Sequence, residues 1–150
     1  MKTYLLFIIC LTFLSVSSAQ EQHIKAKFKI TNAEINSKDY TDYYVANKGY
    51  LSFYELDGSE DLYFVSFSLL RKTQSFGKIY DVEAETEVET EKSFKTVLYK
   101  FKWSYTNDYD DKTGVAQVSF YEVSKALKTE FICIMTLENH EILKLKGYKL

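Results

Sequence analysis

What this chain lacks narrows its chemistry before any pattern in it is read. It contains no proline, so no X-Pro bond can delay folding by cis–trans isomerisation. Its two cysteines are Cys10 and Cys133. Cys10 lies inside an apolar N-terminal run with Ile9 before it, which is not the setting of a lipidated cysteine at a cleavage site. With that run removed, Cys133 has no partner, and an intramolecular disulfide is excluded. The only histidines are His23 and His140, and there is no Gly-x-Ser-x-Gly, no phosphate-cradling glycine loop and no His-Glu-x-x-His. No Asn-x-Ser/Thr sequon occurs. The formal charge is -2, without the basic balance that nucleic-acid binding brings. These absences argue against an enzyme, a disulfide scaffold and a nucleic-acid partner.

The first residues have the order of an export signal. Met1-Lys2-Thr3 is a short basic start, Tyr4–Leu14 an apolar core, and Ser15–Ala19 a run of small residues. The core falls short of the roughly 20 apolar residues needed to span a bilayer. Cleavage after Ala19 is expected, leaving 20–150 as one β domain in a secreted or periplasmic setting. No membrane span is expected after cleavage. Loss of Lys2 takes the formal charge from -2 to -3. A domain of this length can build one sizeable core. Its aromatic content of 17% supplies the material, since each buried aromatic removes about 150–250 Å² from water.

What the chain has in quantity is alternation. Tyr80–Val88, Val97–Tyr105 and Val115–Phe120 each repeat an apolar residue at every second position. Period two is the mark of a half-buried strand. His23–Ile30 alternates as well, with Ile24, Ala26, Phe28 and Ile30 on one face and Lys25, Lys27 and Lys29 on the other. That strand is expected to lose its period near Asn32. Tyr50–Leu56 and Leu62–Leu70 flank Asp57-Gly58, a hairpin signal. On the second of them Tyr63, Val65, Phe67 and Leu69 form one apolar face, which Arg71 continues. Thr73–Lys78 reads as a connection. Phe131, Cys133, Met135 and Leu137 are expected to face inward, as are Leu143, Leu145 and Gly147. Only Ser37–Gly49 carries a helix pattern, with Tyr40, Tyr43 and Tyr44 on one side, suited to cap the end of a barrel.

The glutamates at 83, 85, 87, 89 and 91 form one acidic row on a strand, although glutamate prefers helices. Setting Glu85 against Lys100 and Glu83 against Lys102 pairs charges outside. It also sets Ala84 against Phe101, Val82 against Trp103 and Thr90 against Lys95, with the turn at Glu91–Phe94. Such exposed pairs set register more than stability. On the next hairpin, Trp103 opposite Ala116 places Phe101 against Val118 and Tyr99 against Phe120. About eight short strands joined by hairpins, without βαβ patterning, predict an all-β antiparallel up-and-down barrel. A two-sheet sandwich is the alternative. The architecture is lipocalin-like by patterning alone: the Gly-x-Trp of that family's first strand is absent, and the single tryptophan, Trp103, lies far along the chain.

The candidate chemistry lies on that inner face. Tyr99, Phe101, Trp103 and Tyr105 form an aromatic stripe that either lines a cavity or fills a core. Arg71 is a candidate anchor for an anionic group, against the plainer reading that it points into water. Asn107–Gly114 concentrates oxygen ligands suited to calcium, yet its spacing is not that of an EF-hand and its residues are those of ordinary turns. No cofactor is expected. Cys133, mid-strand on an apolar face, reads as a small core residue. Val115, Ile132 and Ile134 are expected to form an outer apolar patch that wants a cover, from this chain or a second subunit. The expected function is an exported, non-enzymatic barrel for a small apolar or amphipathic ligand, using Tyr99, Phe101 and Trp103 with Arg71. The alternative is a solid-cored protein-interaction or envelope-associated module that uses the outer patch.

Overall fold

The computed structural model describes residues 21–89 and 94–150, with side chains at 21–86 and 94–150. The expected leader, Thr90 and Glu91–Ser93 of the expected turn lie outside the described residues, while Phe94, expected in that turn, opens a strand and pairs with Glu89. In chain order the elements are β1 (Gln22–Ile35), β2 (Lys38–Asp39), α1 (Thr41–Ala46), β3 (Gly49–Leu56), β4 (Leu62–Ser68), β5 (Thr73–Glu89), β6 (Phe94–Asn107), β7 (Thr113–Lys125), β8 (Lys128–Leu137) and β9 (Ile142–Lys149). Neighbours from β3 to β9 pair antiparallel in sequence order, and β1 pairs with both β3 and β9. The result is a closed antiparallel barrel of eight strands, with β2 added at the end of β1.

Closure depends on β1 serving two neighbours along its length. Its first half, Gln22–Lys29, pairs with β3, and its second half, Phe28–Ile35, with β9. A bulge accompanies each half, between Ile24 and Ala26 and between Ile30 and Asn32, and bulges bend a strand as a small barrel requires. The first bulge takes Ile24 off the inner face, leaving it 61% exposed. The second carries the strand on to Ile35, beyond its expected end near Asn32. Asn36 and Ser37 then turn the chain with positive φ at both positions, as a tight primed hairpin turn needs.

Three further expectations are corrected. Thr73–Lys78 is the start of β5, and the connection is Leu69–Lys72. β4 is reversed: Phe64 is buried inside, opposite Phe53 and Gly77, while Tyr63, Val65 and Phe67 face outward. Ser66 and Ser68 share the inner row with Phe64 while Tyr63, Val65 and Phe67 are all apolar, so alternation points to the outer face. On the outside Tyr54 stacks on Tyr63 at 5.4 Å and Tyr50 lies 5.1 Å from Phe67, so the outer face is covered by its own rings. Lastly, β5 and β6 meet in a different register. Glu83 opposes Lys100, Ala84 opposes Tyr99 and, below a bulge, Tyr80 opposes Lys102. Asp81, at φ 53, absorbs the extra residue. The bulge turns Tyr80 outward and sends Ile79 into the core.

The next hairpin has the expected register, with Trp103 opposite Ala116, Phe101 opposite Val118 and Tyr99 opposite Phe120. Inside, Phe28, Phe53, Phe64, Phe101, Phe120 and Phe131 form a connected aromatic cluster with neighbouring ring centroids 4.8–6.2 Å apart. Edge-to-face contacts dominate, and each adds modestly to the burial itself. The small helix lies across one end of the barrel, where Tyr40 and Tyr44 pack against the core.

Candidate functional site

The aromatic cluster fills the middle of the barrel and leaves room at either end. Strand direction decides which residues meet at each. One end gathers the start of β1, the β3–β4 turn, the β7–β8 turn and the end of β9. The other gathers α1 and the β4–β5, β6–β7 and β8–β9 turns.

At the first end is an apolar recess of about 300 Å³. Its walls are Phe28, Phe53, Tyr99, Phe101 and Phe120, with Ala26, Leu62, Ile79 and Val82 completing them. The space exists because the inward positions here carry small side chains, Ala26 and Val82, where the middle of the barrel carries rings. Two charged groups line the recess, and they hold each other: Lys149 Nζ lies 3.0 Å from Glu122 Oε1. Lys149 also sits 5.6 Å above the Phe28 ring. The recess therefore offers an apolar interior with a polar rim, the usual form of a small-ligand pocket, at the lower end of the typical size of about 300–1,000 Å³.

The four residues singled out from the sequence do not share this site. Tyr99 and Phe101 line the apolar recess. Trp103 belongs to the middle layer, 3% exposed, and its indole N–H donates to the Phe64 carbonyl at 3.1 Å. That bond satisfies its polar edge while the ring packs 5.0 Å from Phe64 and from Tyr105. Arg71 lies beyond the end of β4 at the helix end, exposed, with its guanidinium 4.9 Å from the Tyr43 ring. It cannot reach a ligand held between Tyr99 and Phe101, because the aromatic layer stands between them.

The helix end holds a more polar chamber of about 400 Å³, which the sequence reading did not identify. Trp103, Tyr44, Tyr105 and Tyr109 line it, with Ser66, Asn139 and Glu141 among the polar groups. The Tyr105 ring lies where a side chain at 114 would be, so Gly114 makes room for it. Burial pushes the Tyr44 phenol up to about 12, with Tyr43, Tyr109 and Glu141 adding to the effect. Burial also raises Tyr105, helped by Glu138, Tyr109, Asp110 and Glu141. The available signal was hairpin direction, which brings the β6–β7 and β8–β9 turns to the same end.

In the Asn107–Gly114 turn, side-chain oxygens of Asn107, Asp108 and Asp110 are engaged by the chain itself. Asp110 Oδ1 accepts from Asn107 Nδ2 and from the Lys112 amide, and Asp108 Oδ1 accepts from the Gln74 amide. Asn107 Oδ1 accepts from the Ser75 hydroxyl at 2.7 Å. Among the described residues, no group of three or more His, Cys, Asp or Glu side chains is placed to hold a metal ion. Cys133 is fully buried, and burial pushes its thiol up, away from the thiolate a nucleophile needs.

The expected outer patch is not continuous. Ile132 lies between Tyr121 and Lys146, and Ile134 between Ser119 and Lys144. Val115 is further down β7, one position beyond the Ala116–Leu137 pair. No protein-family model, curated protein or solved structure matches this chain.

Proposed function

We propose that this protein is an exported, non-enzymatic barrel that takes up a small apolar or amphipathic ligand at its open end. One observation carries the reading: the apolar recess walled by Tyr99, Phe101 and Phe120, closed below by packed rings and bordered by the Lys149–Glu122 pair. An aliphatic chain would lie against the rings while its polar head stayed near the rim. The leader pattern at Met1–Ala19 supports export.

Octanoate and octanol provide the test, titrated calorimetrically into the wild-type chain and Val82→Trp. Val82 is half exposed at the mouth, so an indole there blocks the recess without entering the core. At least one probe should bind the wild type, and the variant should bind it about tenfold more weakly or worse, a loss of one decade in Kd. Binding by neither protein, or equally by both, would remove the proposal.

A protein-interaction module is the second reading, favoured by the outer rings Tyr50, Tyr54, Tyr63 and Phe67 on β3 and β4. Sedimentation velocity across a concentration series tests it: a monomer throughout counts against self-association by this face.

A further inference from the structure

We propose that the helix-end chamber is a second binding site, specific for a small organic ammonium ion carrying an apolar group. It is lined by the rings of Tyr44, Tyr105, Tyr109 and Trp103 and by the carboxylate of Glu141. Aromatic faces attract ammonium groups, most strongly where water is excluded, and a nearby carboxylate supplies the countercharge.

The charge balance of the lining selects this ligand class. Asp110 and Lys112 form an ion pair at 3.2 Å and neutralise one another. Glu141 has no ion-pair partner among the described residues, although its backbone is fixed: its amide donates to Asn139 Oδ1 at 3.0 Å and its carbonyl accepts from the Leu137 amide. Within the chamber's own lining Glu141 is the one charge without an ion-pair partner among the described residues, while Arg71 lines the adjoining recess that shares Tyr44, Ser66, Ser75 and Tyr109. An anion would meet Glu141 directly and is disfavoured. Ser66, Tyr44 and Tyr105 also line the chamber, and their hydroxyls can serve the ammonium hydrogens or the waters around it.

Both ends of the barrel can be loaded at once, because the aromatic layer of Phe53, Phe64, Phe101 and Phe120 separates them. The second site therefore stands or falls independently of the apolar recess.

Three probes of matched shape test the assignment: phenethylamine, phenethyl alcohol and phenylacetate, followed by calorimetry and by Trp103 fluorescence. Phenethylamine should bind and change the emission, while the alcohol binds more weakly and phenylacetate does not bind. Glu141→Gln should weaken phenethylamine about tenfold or more, the usual scale for losing a hydrogen bond to a charged group. Glu141 lies in a turn, so the fold is expected to tolerate this change. Tyr109→Ala, in an exposed loop, is the second variant and should also weaken binding. Saturation with octanoate should leave the phenethylamine affinity unchanged. The proposal is overturned if the alcohol binds as tightly as the amine, if both variants bind like the wild type, if octanoate displaces the amine, or if no amine binds.

Discussion

The two ends of this barrel are closed by different chemistry on one framework. At the open end the inward side chains are Ala26, Leu62, Val82 and a wall of rings, and the charged groups at the rim pair with each other. At the helix end the corresponding positions carry Ser66, Tyr105 and Asn107, and a carboxylate is left over. The strands are the same on both sides of the aromatic layer. What differs is whether inward positions fall on small apolar residues, which leave an apolar space, or on tyrosines and turn residues, which leave a polar one. A filled middle thus separates the apolar recess from the polar spaces at the helix end.

The largest test breaks the wall between them. Phe64 is fully buried, with its ring between those of Phe53, Phe101 and Trp103. Phe64→Ala should destabilise the protein by about 3–5 kcal/mol, from lost transfer energy and the cavity left behind. Urea unfolding measures this. In the fraction that folds, an apolar probe at the open end should begin to perturb Trp103, which is shielded from it in the wild type. A milder cost with no new coupling would mean that the rings collapse into the gap.

A second test acts on the helix end alone. The Tyr44 phenol has an ordinary value of 10 and is pushed up to about 12 by burial. Below pH 10 both folded and unfolded chains hold the proton, and the full stability is present. Between the two values the unfolded chain has lost a proton that the folded chain retains, so stability falls as pH rises toward about 12. A two-unit shift corresponds to roughly 2–3 kcal/mol. Tyr44→Phe should remove that part of the alkaline slope, measured as denaturation midpoints against pH. Val82→Trp, at the other end, should leave the slope unchanged.

The sequence made the barrel legible and the position of its pockets obscure, for reasons that particular residues show. Trp103 opposite Ala116 could be predicted because a large ring needs a small partner and both strands alternate cleanly. The β5–β6 register could not, because alternation fixes parity and is blind to a shift of two. Asp81 then added a bulge that no period announces. β4 was misleading because Ser66 and Ser68 share the row of Phe64, which leaves the outward row of Tyr63, Val65 and Phe67 the more apolar of the two. Tyr99, Phe101 and Trp103 were seen to share a face, but which side of the packed layer each occupies depends on closure in three dimensions. Arg71 was separated from them for the same reason, since a loop residue takes the end of the barrel at which its hairpin turns.

The smallest expected effect lies on the open-end hairpin, where the shift of two had its mildest consequence. Glu85 is two positions from its predicted place opposite Lys100, yet Lys100 Nζ still reaches Glu85 Oε1 at 2.9 Å. Lys102 takes the bulge residue Asp81 at 2.8 Å. A diagonal pair survives because, above the bulge, the shift of two kept every side chain on its own face. Both partners are exposed, so solvent and salt screen the attraction. A double-mutant cycle of Glu85→Gln and Lys100→Gln should give a coupling far below the effects at Phe64 and Tyr44, vanishing at high salt. A large coupling that persists in salt would mean that this row of charges holds the hairpin over the recess. The open end would then depend on electrostatics as much as the helix end depends on burial.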